Sequence, residues 1–164
     1  PEGFVFAWKV PRYLTHYRRL KDAAESVALI YERMAGLGDK RGPALFQLPP
    51  QLKRDDERLA GVLPLVSGRG RAVFEFRDPS WYAPEVLGLL RAHNVALCVS
   101  DHAAAPASWL VTASFAYVRG HGPSGRYHGT YEDAQLERWA AQVRAWRAEV
   151  LETFSYLDND IRAA

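Results

Sequence analysis

Six short apolar runs alternate with stretches of helical period, and that alternation restricts the fold more than any other feature of this chain. The runs occupy residues 4–10, 43–48, 72–76, 95–100, 114–121 and 152–158. Each is bounded by glycine, proline or a polar cluster, as strands are. Between the first two, Asp22 opens a helical pattern with Val27, Ile30, Tyr31 and Met34 at spacings of three and four, closed by Gly36 and Gly38. A second helix starts near Asp55 and carries Leu59, Val62, Leu63 and Val66. A third, capped by Ser80, carries Val86, Leu87 and Leu90 and stops near His93-Asn94. A loop joins the fourth strand to the fifth. Thr130 with Asp133 marks the start of a last helix reaching Ala148, with Trp139, Val143 and Trp146 as a core stripe. Strands that alternate with helices predict a parallel sheet with helices packed outside it, either open or closed into a barrel. No glycine-rich phosphate fingerprint follows the first strand, which argues against a dinucleotide fold.

Within the strands the period is two, and the two faces differ. Ala72, Phe74 and Phe76 share one face of the third strand; Val73, Glu75 and Arg77 share the other. Phe4, Phe6 and Trp8 oppose Val5, Ala7 and Lys9, and Ala44, Phe46 and Leu48 oppose Leu45 and Gln47. Tyr117, Arg119 and His121 fall together, as do Val95, Leu97, Val99 and Asp101. One face suits helix packing. The other turns polar only at the carboxyl ends, at Lys9, Gln47, Glu75, Arg77, Asp101, Arg119 and His121, with Asp158-Asn159-Asp160 closing the sixth strand. In a parallel barrel those ends meet at one mouth, where binding sites form.

The 164 residues are read as a single domain, 1–164. A net charge of +2 is too small to indicate a nucleic-acid or membrane partner. No apolar run nears the ~20 residues of a membrane span. The single cysteine, Cys98, lies in an apolar run and reads as a core thiol, which fits a reducing, cytoplasmic setting.

The motifs FVFAWKVPRYLTH, GPALFQLPPQL, FEFRDPSW, YVRGHG with Tyr127 and Tyr131, and DND, in that order, resemble the YecE-like family, domain of unknown function 72. The resemblance implies a TIM-type β/α barrel and no established activity. It carries family motif positions onto Lys9, Thr15-His16, Gln47, Pro49-Pro50, Glu75, Arg77, Trp81, Asp101, Arg119, His121 and Asn159-Asp160. It also implies an N-terminal portion rich in Gly-Trp and Tyr-Pro motifs, absent from this sequence. Asp158 stands where the family more often has asparagine. Six strands rather than eight predict an incomplete barrel with two exposed sheet edges, open to pairing with a partner.

Three chemistries suit the mouth. The first is a pocket for a small anionic or polyhydroxylated substrate. Lys9, Arg77 and Arg119 would grip a phosphate or carboxylate, with Gln47, Trp81, Tyr127, Asn159 and Asp160 as further binding residues. There Glu75 or Asp101 would serve as general base and His16 or His121 as general acid. The opposed charges also read as a self-satisfied ion network. The second is a divalent-metal hydrolase or isomerase using Glu75, Asp101, His121 and Asp160. No tight ligand spacing supports it and the arginines oppose a bare cation, so no metal residue and no cofactor is assigned. The third is a nucleotide or single-stranded nucleic-acid module using Trp8, Tyr13, Tyr17, Trp81, Tyr82, Tyr127 and Tyr131 with Arg12, Arg18 and Arg19. Oligomeric state has no signature in the sequence.

Overall fold

The computed structural model describes residues 1–149 and 152–158. Six strands form one parallel sheet in chain order: β1 (Phe6–Lys9), β2 (Arg41–Gln47), β3 (Ala72–Glu75), β4 (Ala96–Ser100), β5 (Phe115–Gly120) and β6 (Glu152–Leu157). Helices α1 (Ala23–Ala35), α2 (Asp56–Val66), α3 (Pro84–Ala92) and α4 (Asp133–Ala148) connect them, except between β4 and β5, where a loop does. The sheet is parallel, as the alternation predicts, and curls into a half-barrel, the incomplete TIM-type architecture that the resemblance implies. β1 and β6 each have one neighbour in it.

Alternation along the strands builds two cores. On the convex face Phe46, Phe74 and Phe76 meet Leu59, Val62, Leu63 and Val66 of α2 and Val86 and Leu90 of α3. Phe46 stacks on Phe74 with ring centroids 5.0 Å apart, and Phe76 stacks on Trp81 at 4.8 Å. Each large side chain taken out of water there stabilises the fold by about 1.5–3 kcal/mol. On the concave face Leu45, Val73, Ala96, Cys98, Phe115, Tyr117 and Phe154 form a second cluster. Trp146, with Trp139 and Val143 beside it, seats α4 on Val99, Ala116 and Val118, as the stripe predicted.

Four local expectations are corrected. Asp22 stands at the N-cap of α1 but in a left-handed conformation without capping; its carboxylate takes Arg18 instead, at 2.6 Å. Ser80 does not cap α3, which begins at Pro84 after Ala83. It lies in a single 3-10 turn capped by Asp78, where its hydroxyl donates to Asp78 and accepts from the Arg54 amide. The capping box of α4 is Glu132 with Gln135, two residues beyond Thr130, because both side chains there reach the opposite backbone N–H. In β4 the concave residues are Ala96, Cys98 and Ser100, while Val95, Leu97 and Val99 face the helices. Asp101, in register with the helix face, follows the last residue of β4 and reaches the mouth from the loop.

Candidate functional site

Glu75 is the centre of the mouth. Its position on the concave side of β3 follows from strand parity, one residue pair beyond Val73. Its carboxylate is fully buried. Arg77 pairs with Oε1, Arg119 donates to Oε2 at 2.6 Å, and Gln47, its register partner on β2, donates to Oε1 at 3.5 Å. Arg119 also bonds Asp158 at the end of β6, 2.5 Å away. Three strands are thus tied through one carboxylate, and Arg119 extends the tie to the end of β6. A buried carboxylate needs such partners, since an unpaired one would be neutralised.

His121 lies behind this pair, also fully buried. Its Nε2 lies 2.9 Å from an Arg77 guanidinium nitrogen, which donates to it. Nδ1 faces Ser100 Oγ at 3.3 Å and Asp101 Oδ1 at 3.4 Å. Asp101 also accepts from the His121 amide at 2.6 Å and from the Tyr131 hydroxyl at 2.5 Å. Burial pushes the Asp101 carboxyl up, but these hydrogen bonds outweigh it and hold the pKa below the usual value. Tyr131 Oη in turn accepts from the Gly122 amide at 2.8 Å. A Cβ at Gly120 would sit 2.6 Å from that hydroxyl, so only glycine fits below it.

In front of the network is an open cleft of about 320 Å³, lined by Lys9, Arg12, His16, Gln47, Leu48, Pro50, Arg77, His102 and Tyr127. No carboxylate among the described residues lines it. Arg77 is 4% exposed, and its Nε is buried without an acceptor among the described residues. Tyr127, held at φ 68°, lays its ring against the Arg77 guanidinium, 5.8 Å from the centroid. An aromatic side chain in the left-handed region is a true outlier, and such residues gather at functional sites. Burial, then Arg12, Lys9 and Arg77, lower the pKa of His16. Burial, then Arg77 and His121, bring His102 down to about 4. A second cavity of about 280 Å³ opens on the concave side between Lys9, Leu45, Tyr117, Arg119, Tyr156 and Asp158. A larger groove of about 580 Å³ between α1 and α2 is lined by no strand residue and mixes Lys21 and Arg58 with Asp22, Asp55 and Glu57.

The expected site residues separate into three groups. Lys9, His16, Gln47, Arg77 and Tyr127 line the cleft. Glu75, Asp101, Arg119 and His121 form the network behind it. Trp81 lies in neither; it is fully buried against Phe76 and donates its indole N–H to the Leu52 carbonyl. Asn159 and Asp160 lie outside the described residues. Ser100 and His102 join the site without having been assigned to it from sequence, and Arg12, named there only for a nucleic-acid module, lines the cleft. The small side chains of Ala96, Cys98 and Ser100, set against the bulky Val95, Leu97 and Val99, were the signal for Ser100.

The family described as Protein of unknown function DUF72 matches residues 1–164. The chain belongs to this family. Solved DUF72 structures share its fold. A DUF72 family protein from Thermotoga maritima is 24% identical with a TM-score of 0.85, over 97% of this chain and 68% of that one. A DUF72 family protein from Enterococcus faecalis is 20% identical with a TM-score of 0.81, over 98% of this chain and 70% of that one. No curated protein matches the chain.

Proposed function

We propose that the mouth of this DUF72 half-barrel binds a small anionic molecule through a phosphate or carboxylate group. The observation that carries this reading is the cleft itself, where Lys9, Arg12 and Arg77 converge and no carboxylate among the described residues forms part of the lining. Arg77 is partly neutralised by Glu75, but Lys9 and Arg12 make no ion pair among the described residues. The orphan N–H of Arg77 supports the same reading, because a buried donor without a partner is costly. Gln47 and Tyr127 would fix the ligand's orientation. Arg119 and Glu75 are proposed to hold Arg77 in place. Of the acid/base residues, His16 alone lines the cleft, so proton transfer to a ligand is proposed on His16, with Asp101 and His121 as support.

Calorimetric titration with sulfate and with phosphate at low ionic strength tests the reading. Losing one charge-assisted hydrogen bond, Arg12→Gln should weaken binding about tenfold or more. Equal affinity in the two chains, or no heat at millimolar anion, sinks it.

A second reading keeps one observation in its favour. Tyr13 and Tyr17 stand exposed on a single π turn, bracketed by Arg12, Arg18 and Arg19. Such a surface suits bases of a single strand. A salt-sensitive shift of a single-stranded oligonucleotide, lost in Tyr17→Ala, would favour it over a free anion. The metal reading finds less support. Both Glu75 oxygens face guanidinium groups, and no cluster of three His, Cys, Asp or Glu suited to a metal occurs among the described residues. No helix among them is long and apolar enough to cross a membrane.

A further inference from the structure

We propose that Lys9 is a nucleophilic amine, and that the anion taken by the cleft carries an aldehyde or ketone with which Lys9 forms an imine. This deepens the anion-binding reading and rests on it.

Lys9 is the last residue of β1 and is solvent-accessible. It is the one lysine at the mouth; Lys21, Lys40 and Lys53 lie on exposed outer segments. Lys9 also stands between two cavities, lining both the outer cleft and the concave one. A carbonyl carbon could therefore approach it from the cleft while the rest of a ligand extends toward Tyr117 and Tyr156. Most surface lysines have a carboxylate partner or open water around them. Lys9 makes no hydrogen bond or ion pair among the described residues, because the acids nearest to it are already taken. Glu75 is held by Arg77 and Arg119, and Asp158 by Arg119.

The electrostatics agree with the geometry. Partial burial of the amine comes first, then Arg119 and Arg77, and together these lower its pKa against the opposing pull of Glu75 and Asp158. An amine surrounded by cations and short of carboxylates holds more of its neutral, reactive form at pH 7. Arg77, one of the two cations that depress the amine, also lines the cleft that would hold the anionic end of the ligand, so binding and activation share one charge.

The chemistry is self-contained. The Nζ lone pair forms a bond to the carbonyl carbon while the C=O π pair moves onto oxygen. The two amine protons pass to that oxygen, with His16 on the same cleft wall as carrier, and it leaves as water while C=N forms. Amine plus carbonyl gives imine plus water, with no oxidant or reductant required. The substrate class is a carboxylate- or phosphate-bearing aldehyde or ketone.

Pyridoxal 5′-phosphate, followed by borohydride reduction and peptide mapping, tests this on the whole chain at pH 7. Lys9 should be labelled at least about tenfold faster than Lys21, Lys40 or Lys53, because the cationic cleft gathers the phosphate-bearing aldehyde beside this amine. Sulfate should slow that label, and unphosphorylated pyridoxal should show less preference for Lys9. Lys9→Arg should lose the fast label and leave Lys21, Lys40 and Lys53 at their slow rate. Equal labelling of the four lysines while sulfate still binds overturns the imine proposal and leaves the anion cleft standing. Preferential labelling of Lys9 in a chain that binds no sulfate overturns the anion reading, and with it the substrate class.

Discussion

Arg119 on β5 donates to Glu75 on β3 at 2.6 Å, spanning β4, which separates their strands. The bond lies above Cys98 and beside Ser100, on the inside of the curl, so one pair of side chains fixes how far three strands can flatten.

Glu75→Gln should therefore destabilise the fold strongly. It leaves Arg77 and Arg119 with a neutral partner in a site closed to water. Removing one member of a buried pair costs about 3–5 kcal/mol. Urea unfolding at pH 7 measures it; a loss below 1 kcal/mol would mean that water reaches the site and the pair is no tie.

Tyr131→Phe removes the hydroxyl shared by Asp101 and Gly122. The buried Gly122 N–H is then without an acceptor, at about 1–3 kcal/mol. Gly120→Ala attacks the same contact from below, since its Cβ would meet Tyr131 Oη at 2.6 Å and Trp139 at 2.9 Å. Overpacking of this kind costs about 1–3 kcal/mol. Because the two changes share one contact, their double variant should lose less than the sum, in the same unfolding assay.

Trp81→Ala separates a core role from a binding one. The indole is fully buried on Phe76, so truncation should cost about 3–5 kcal/mol. Sulfate affinity of the folded protein, measured by calorimetry, should stay within about twofold, a change below the ~1.4 kcal/mol that makes tenfold. Affinity that collapses while stability holds would return Trp81 to the pocket.

Stability should fall from pH 7 to pH 4. His102 has a folded pKa of about 4 against an ordinary 6.5, so the unfolded chain takes the proton first. Its contribution is complete above pH 6.5 and drains as pH drops toward 4. His16 is lowered too and acts with the same sign. Asp101, also depressed, contributes above its unfolded value and loses this only at more acidic pH. Sulfate keeps its charge across this range, and protonating His16 and His102 adds charge that attracts it. The sulfate-induced rise in melting temperature should thus be larger at pH 4 than at pH 8, and a flat response would argue against an anion beside these rings.

Much of the architecture was legible because strand parity and helical period each leave a repeated mark. Glu75 and Arg77 at spacing two after Val73 pointed to the concave side, and that is where they lie. Where only a single residue carried the information, the reading slipped. In β4 both faces are apolar, so side-chain size, not polarity, distinguished Ser100 from Val99. Trp81 sits in a motif among polar residues, yet a 3-10 turn rotates it onto Phe76 and the Leu52 carbonyl, a turn that neither period reveals. His102 and Arg12 reach the cleft from loops and a π turn, whose directions depend on tertiary contacts and not on local sequence.

Cys98 gives the protein a built-in gauge. Its thiol is the chain's only one, is enclosed on the concave side, and has its ionisation pushed upward by burial. An alkylating reagent can reach it only when the curl opens, so the rate of single-site modification reads the free energy of that opening, with no mutation and no added probe.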